Sequence, residues 1–412
     1  MSSTTLIVLG ALLAGYPLVA ARLSRTWLTG PLLFTALGLA LGPGGIDLID
    51  LPLGEGSVQL LLNTTLGIVL FYDATRIDLH SLRRGAAAPI RLLAIGFPVM
   101  IVVGVLGGRL VFPGLELVTL AAIAVVLAPT DAALGRAVVT NVEVPARDRQ
   151  TLIVESGLND GLGLPFLFAV LAVAAAQDAT DPGIVLLEQM TSDIGGGLVA
   201  GLAVGLGGVV VARLIRRVGL TPSSGALGVT AIGVQVTTAG TALALGGSIF
   251  IAAFVAGLVI GPSLRPVDDN VFMLGTEITE FLTMLAFFVF GAAIVSTQLD
   301  QFTWQVALYA VLSLAVFRPI AVAVAEIGSD VSWRTIAFLG WFGPRGLGSI
   351  LYIYTVREQA PDFTGLDTLT TVMTWTVLIS IVLHGVTAWP ASKRYAASIG
   401  PAGEYETGSS AG

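Results

Sequence analysis

The residues most able to do chemistry in this sequence sit where charge is expensive. The stretch ESGLNDGLG at 155–163 places Glu155, Asn159 and Asp160 inside an apolar run from Leu152 to Ala176. A charged side chain at mid-membrane depth costs roughly 2.5–3.5 kcal/mol on insertion scales. Asp73 and Asp131 lie in apolar runs of their own, as do Arg318 and Arg345, the cations available to these acids. Helical spacing puts Ser156 and Asp160, four apart, on one face, and Glu155 and Asn159 on another about 100° away. The first face offers oxygen ligands suited to a small hard cation, and the second can hold the structure. A carboxylate held out of water can carry either a proton or that cation. If it must be occupied before the protein changes the side it faces, cation and proton are exchanged and do not leak.

Such residues have to be held by membrane-spanning helices. Of 412 residues, 55% are hydrophobic and 11% charged, with a mean hydropathy of +0.90, which is too apolar for a soluble domain of this length. Windows long enough to cross a hydrocarbon core, about 17–25 residues, fall near 4–23, 27–43, 57–78, 92–112, 115–139, 150–176, 190–217, 224–243, 247–264, 272–297, 303–326, 333–357 and 367–390. None alternates with the period of a barrel strand, so the backbone must satisfy itself as helices. The expected fold is an all-α polytopic bundle of about thirteen spans. No Lys or Arg precedes the first window in MSSTTL, which therefore reads as a retained helix and not a signal peptide. The absence of cysteine excludes disulfides, thiolate metal sites and cysteine nucleophiles. GPRGLGS at 343–349 lacks the lysine of a phosphate loop, so neither ATP-driven transport nor a resident cofactor is expected, and no nucleic-acid partner.

Sixteen of the twenty basic residues lie after odd-numbered spans or in the tail, among them Arg76, Arg91, Arg136, Arg149, Arg216 and Lys393. By the positive-inside rule the odd loops and the C-terminus are cytoplasmic and the N-terminus outside, as in a prokaryotic inner membrane. Two spans carry breaks: the fifth at APTDAA, 128–133, and the twelfth at GWFGPRGLGS, 340–349, where Pro129 and Pro344 each remove a backbone donor. Lying seven spans apart, they run in opposite directions and occupy matching places in two halves, the pattern of inverted-repeat secondary transporters. Asp131, beside a break, could equally cap a half-helix N-terminus. Ser156 and Thr130 could equally bond back to their own helices. His384 and His80 read as bystanders, and the stretch from Gly400 as a short disordered tail.

Taken together, FYDATRIDL at 71–79, PTDAA at 129–133, ESGLNDG at 155–161, FRP at 317–319 and GPRG at 343–346 resemble the cation/proton antiporters of the NhaP and sodium/proton exchanger branch. The resemblance implies a homodimer in the lipid bilayer that exchanges sodium, or lithium or potassium, for protons by alternating access, serving sodium and pH homeostasis. It implies a dimerisation domain (1–90 and 179–300), a moving core (91–178 and 301–390) and a short cytoplasmic tail (391–412). It makes Asp160 the cation ligand and proton carrier, with Ser156, the Thr130 carbonyl, Asp131 and Asp73 as helpers. Asn159 in place of a second acid implies electroneutral exchange. Glu155 is implied to pair with an arginine, Arg318 in preference to Arg345, which would balance the helix ends of the broken twelfth span. Two departures bear on coordination and ion preference: Ala132 follows Asp131 where the family usually has proline, and the third-span acid is Asp73 where many relatives have glutamate.

Three other classes compete. An intramembrane aspartyl protease needs a Gly-x-Gly-Asp stretch that GLNDGLG does not supply, and it has no use for buried arginines. A channel commonly shows repeated selectivity segments, which are missing. A sodium-coupled symporter of an organic anion shares the architecture but calls for an internal basic cluster, and the sequence suggests none.

Overall fold

The computed structural model describes residues 28–49, 55–77, 87–132, 134–175, 182–219, 224–264 and 270–399, with 3–4, 7–8, 10–12 and 14–16 near the start. Arg22, Arg25, Arg83, Arg84, Arg265, His80 and the tail from Gly400 lie outside the described residues. Among those described, the structure is helical with no strand. In chain order the helices are α1 (Gly30–Leu41), α2 (Glu55–Thr75), α3 (Ala87–Val111), α4 (Leu117–Val126), the single turn α5 (Arg136–Val139), α6 (Ala146–Ala175) and α7 (Pro182–Arg217). There follow α8 (Ser224–Ala244), α9 (Ile249–Leu264), α10 (Asn270–Val289, continued to Gln301), α11 (Trp304–Ala325), α12 (Trp333–Trp341), α13 (Leu347–Gln359) and α14 (Leu366–Ile399). With α4 and α5 as one interrupted span and α12 and α13 as another, every predicted window from the second onward carries a helix. The last helix runs through 391–399, which the sequence reading gave to the tail, because TAWPASKRYAASI keeps helix formers on both sides of Pro390.

Local sequence explains the ends and the irregularities. Thr303 caps α11 by accepting from Val306 N–H at 3.3 Å, and Ser332 caps α12 by accepting from Thr335 N–H at 3.2 Å. Two π-turns, Leu92–Gly96 and Ser313–Phe317, immediately precede Phe97-Pro98 and Arg318-Pro319. A proline ring clashes with the carbonyl four residues back and lacks the donor for it; widening that turn removes both conflicts. These paired bulges lie in α3 and α11, again seven spans apart, so the two halves match in detail beyond the breaks.

Packing sorts the helices into two groups. α1, α2, α7, α8, α9 and α10 pack among themselves, as do α3 to α6 with α11 to α14, and the groups meet where α6 touches α2, α7 and α9, where α13 touches α2 and α10, and where α14 touches α1. The α2–α9 contact is close because Gly257 and Gly261 bring a small-xxx-small face against the carbonyls of Phe71 and Thr75, where a β-carbon at either glycine would collide. Large apolar side chains stand exposed along α7 at Val199, Leu202, Leu206 and Val210, as suits a face turned to lipid.

Candidate cation and proton site

The site is built where the two breaks cross. Between α4 and α5 the described backbone, 127–132 and 134–135, is unwound, and its polar groups need partners because nothing in a bilayer supplies them. Three successive N–H groups find them. Thr130 N–H donates to Asn159 Oδ1 at 3.2 Å, Asp131 N–H to the Pro344 carbonyl at 2.8 Å, and Ala132 N–H to Ser156 Oγ at 2.8 Å. Ser156 in turn donates its hydroxyl proton to the Thr130 carbonyl at 2.6 Å, and Asn159 Nδ2 donates to Thr130 Oγ1 at 2.8 Å. Ser156 and Asn159, three apart on α6, thus act as a substitute helix for the broken one. Neither Ser156 nor Thr130 bonds back to its own helix.

This changes the division of labour on α6. Spacing of four grouped Asn159 with Glu155, but the unwound strand takes Ser156 and Asn159 together and leaves Glu155 to face α11. Spacings of three and four both bring side chains together, and the strand's direction selects the first.

The second break places the start of α13 against both acids. Asp131 Oδ2 accepts from Leu347 N–H at 2.8 Å, capping α13 at the positive end of its dipole. Asp160 is 3% exposed and its Oδ1 has no hydrogen-bond partner. Its backbone carbonyl accepts from Tyr352 Oη at 2.6 Å. The charges of Asp131 and Asp160 are near enough to act on each other.

The arginines separate cleanly. Arg318, at the turn after the α11 π-bulge, forms a two-pronged ion pair with Glu155, Nη2 to Oε2 at 2.7 Å and Nη1 to Oε1, and Nη2 also reaches the Leu339 carbonyl at 3.3 Å. Arg345 is fully buried and makes no ion pair among the described residues. Its Nη1 donates to the Gly343 carbonyl at 2.7 Å and its backbone N–H to Ser380 Oγ at 2.7 Å, so it serves the negative end of α12. His384 helps there, bonding the Trp341 carbonyl through Nε2 at 3.0 Å; it is a strut of the break and no bystander.

Asp73 stands apart from this group. It lines a cavity of about 360 Å³ together with Arg76, Ala132, Arg136, Arg149 and Thr279. A gap of about 10 Å³, room for one water-sized particle, shares Ala132 and Val139 with that cavity and is otherwise walled by residues including Thr130, Asp131 and Ser156. The larger cavity is therefore a vestibule, with Ala132 at the threshold of the site. Its arginines come together from the ends of three helices, α2, α5 and α6. They are engaged: Arg136 with Glu280, Arg149 Nε with the Val144 carbonyl at 3.0 Å, and Arg76 with Thr276.

Glu280 belongs to the other helix group. It accepts from Arg136 Nη1 at 3.1 Å and from Tyr16 Oη at 3.0 Å, so this half-exposed cluster bridges the two groups beside a second cavity of about 420 Å³.

The model of the sodium/hydrogen exchanger transmembrane family matches residues 8–394. The chain belongs to this family. The chain is 24% identical over 314 residues to a probable Na(+)/H(+) antiporter of Schizosaccharomyces pombe, covering 66% of this chain and 40% of that protein. It is 24% identical over 364 residues to the K(+)/H(+) antiporter NhaP of Alkalimonas amylolytica, covering 87% of this chain and 61% of that one. The chain thus spans less than two thirds of the length of both. Its fold matches the sodium proton antiporter MjNhaP1 of Methanocaldococcus jannaschii with a TM-score of 0.75 at 22% identity, over 95% of this chain and 98% of that one. The chain is thereby an integral membrane protein with the NhaP fold of about thirteen helices, and its relatives are transporters, not enzymes.

Within the chain the structure brings together Thr130, Asp131, Ser156, Asn159 and Asp160, and leaves Asp73 in the larger cavity. Sequence reasoning missed Gly346, Gly348, Tyr352, Ser380, Arg136 and Glu280. For Tyr352 and the glycines a signal was present, since Gly346 closes the GPRG break and Gly348 and Tyr352 lie within six residues of it; Glu280 sits in an ordinary amphipathic stretch and gave none.

Proposed function

We propose that the exchanger moves a monovalent cation, sodium first, against protons by alternating access, with Asp160 carrying either ligand in turn. The observation that carries this reading is the buried, unpartnered Asp160 Oδ1, which shares the first turn of α13 with the Asp131 carboxylate and a face of α6 with the Ser156 hydroxyl, oxygen ligands of the kind that fit a hard cation. The gap next to Asp131 and Ser156 and the vestibule at Asp73 supply a route from one side. Loops with the excess of arginine surround that vestibule, so it opens to the cytoplasm, the N-terminus lies outside and the C-terminus inside, in a prokaryotic inner membrane.

The group α3–α6 with α11–α14 is the moving core, and the other group is the dimerisation domain of a homodimer. Exchange is electroneutral, because Asn159 is spent on clamping Thr130 and brings no second charge to Asp160. Potassium is the alternative cation, favoured by the relative named as a K(+)/H(+) antiporter. The test is dequenching of a pH-sensitive dye in proteoliposomes on adding NaCl, KCl or LiCl, with and without a membrane potential. Cation-evoked proton movement insensitive to potential is the expected result; no movement with any cation would remove the reading.

A further inference from the structure

The two acids of the site rest on the first turn of α13, and that turn has glycine at both contact points. A β-carbon built at Gly346 would collide with Asp131 Oδ2, and one built at Gly348 with Asp160 Oδ1. Gly346 stands inside the GPRG stretch, but Gly348 lies beyond it. Nothing in the helix requires glycine at 348. It is the second residue of α13, its φ is not in the left-handed region, and glycine inside a helix is destabilising by roughly 0.5–1 kcal/mol relative to alanine. The position is buried, and a β-carbon there would meet only ordinary contact with Pro129 Cβ at 3.6 Å besides the Asp160 carboxylate. The one thing that glycine secures at 348 is therefore the resting place of Asp160 Oδ1, the oxygen left without a partner.

We propose that Gly348 is a specificity-determining residue, acting as the backstop that sets how far the Asp160 carboxylate sits from α13 and so how much room remains for the cation. This rests on the reading of Asp160 as the cation site. Selectivity among hard cations follows from cavity size and from ligand spacing and rigidity. A methyl group at 348 moves the carboxylate off α13 toward α6 and the unwound 130–132 strand, where the other oxygens lie. The space narrows, and the larger cations lose most.

The test uses the full chain in proteoliposomes, with KM for Li+, Na+ and K+ read by proton movement in the parent, Gly348→Ala and Asp160→Asn, and cation-induced melting shifts of the same proteins in detergent. Gly348→Ala is expected to raise the ratio of KM for K+ to KM for Li+ by about tenfold, the lower end of what changing a group that orients a metal ligand costs in affinity, with the melting shifts following the same order. Asp160→Glu narrows the space from the other side and is expected to move the preference the same way, which keeps the test available should Gly348→Ala not fold. A merely structural glycine would change melting temperature and leave the cation ratios alone. Loss of exchange in Asp160→Asn together with unchanged ratios in Gly348→Ala, or in Asp160→Glu where that stands in for it, overturns this inference alone. Normal exchange by Asp160→Asn overturns the site reading and this inference with it.

Discussion

The Glu155–Arg318 pair gives the sharpest energetic prediction, because both partners are sealed from water, with side chains 3% and 7% exposed. Two charges so buried cost several kcal/mol each to desolvate, and their attraction offsets this only in good geometry. The geometry is good: two parallel contacts, plus a third from Arg318 to the Leu339 carbonyl. Glu155→Ala removes one charge and leaves Arg318 uncompensated, with the equally buried Arg345 nearby and no other acid paired to either. A loss of roughly 3–5 kcal/mol is expected. Arg318→Met should cost about the same, since it strands Glu155. The double variant Glu155→Leu with Arg318→Met should recover most of that loss, because a well-packed apolar pair in place of a buried ion pair is often neutral or stabilising. Unfolding in a graded detergent series, followed by size exclusion, measures all three. Single variants as stable as the parent, or a double variant as unstable as the sum of the singles, would refute the argument.

Other outcomes follow from neighbouring contacts. Ser156→Ala strands the Ala132 N–H and the Thr130 carbonyl, each at roughly 1–3 kcal/mol if no water replaces the hydroxyl, and should weaken cation affinity as well as stability in the same two assays. Glu280→Gln breaks the bridge to Arg136 between the helix groups; as both side chains are about one third exposed, its effect on stability should stay within about 1 kcal/mol, whereas turnover should change because the two groups are freed to move. Equal turnover in parent and variant would mean that the bridge does not restrain the cycle. Asp73→Asn should raise KM for the cation without abolishing exchange, since Asp73 lines the vestibule and not the site; complete loss would place it among the ligands.

Much of the fold was legible because a bilayer leaves the backbone few choices: twelve of the predicted windows carry helices, and proline with flanking glycine marked the fifth and twelfth as broken. The acids and the need for buried arginines were legible for the same reason, charge in an apolar run being too costly to be idle, but the choice of Arg318 over Arg345 for Glu155 came from the family resemblance and is seen only in the structure. What the sequence did not disclose is how unwound backbone would be satisfied. Thr130, Asp131 and Ala132 could have turned any of three ways, and their choice of Asn159, Pro344 and Ser156 decided which side of α6 serves structure. The π-turns before Pro98 and Pro319 were hidden because a helix can meet a proline by kinking, ending or widening. Contacts between residues distant in sequence, such as Arg136 with Glu280 or Gly348 with Asp160, leave no periodic trace at all.

The claim that one carboxylate serves both ligands is tested most directly by counting protons released when a cation binds. Calorimetric titration of the purified exchanger with NaCl or LiCl, in buffers of different ionisation enthalpy, reads that number. The account predicts one proton released for each cation bound, since a ligand oxygen must give up its proton to take the metal, and neither binding nor release in Asp160→Asn. Cation binding with no proton released, or unchanged in Asp160→Asn, would contradict it.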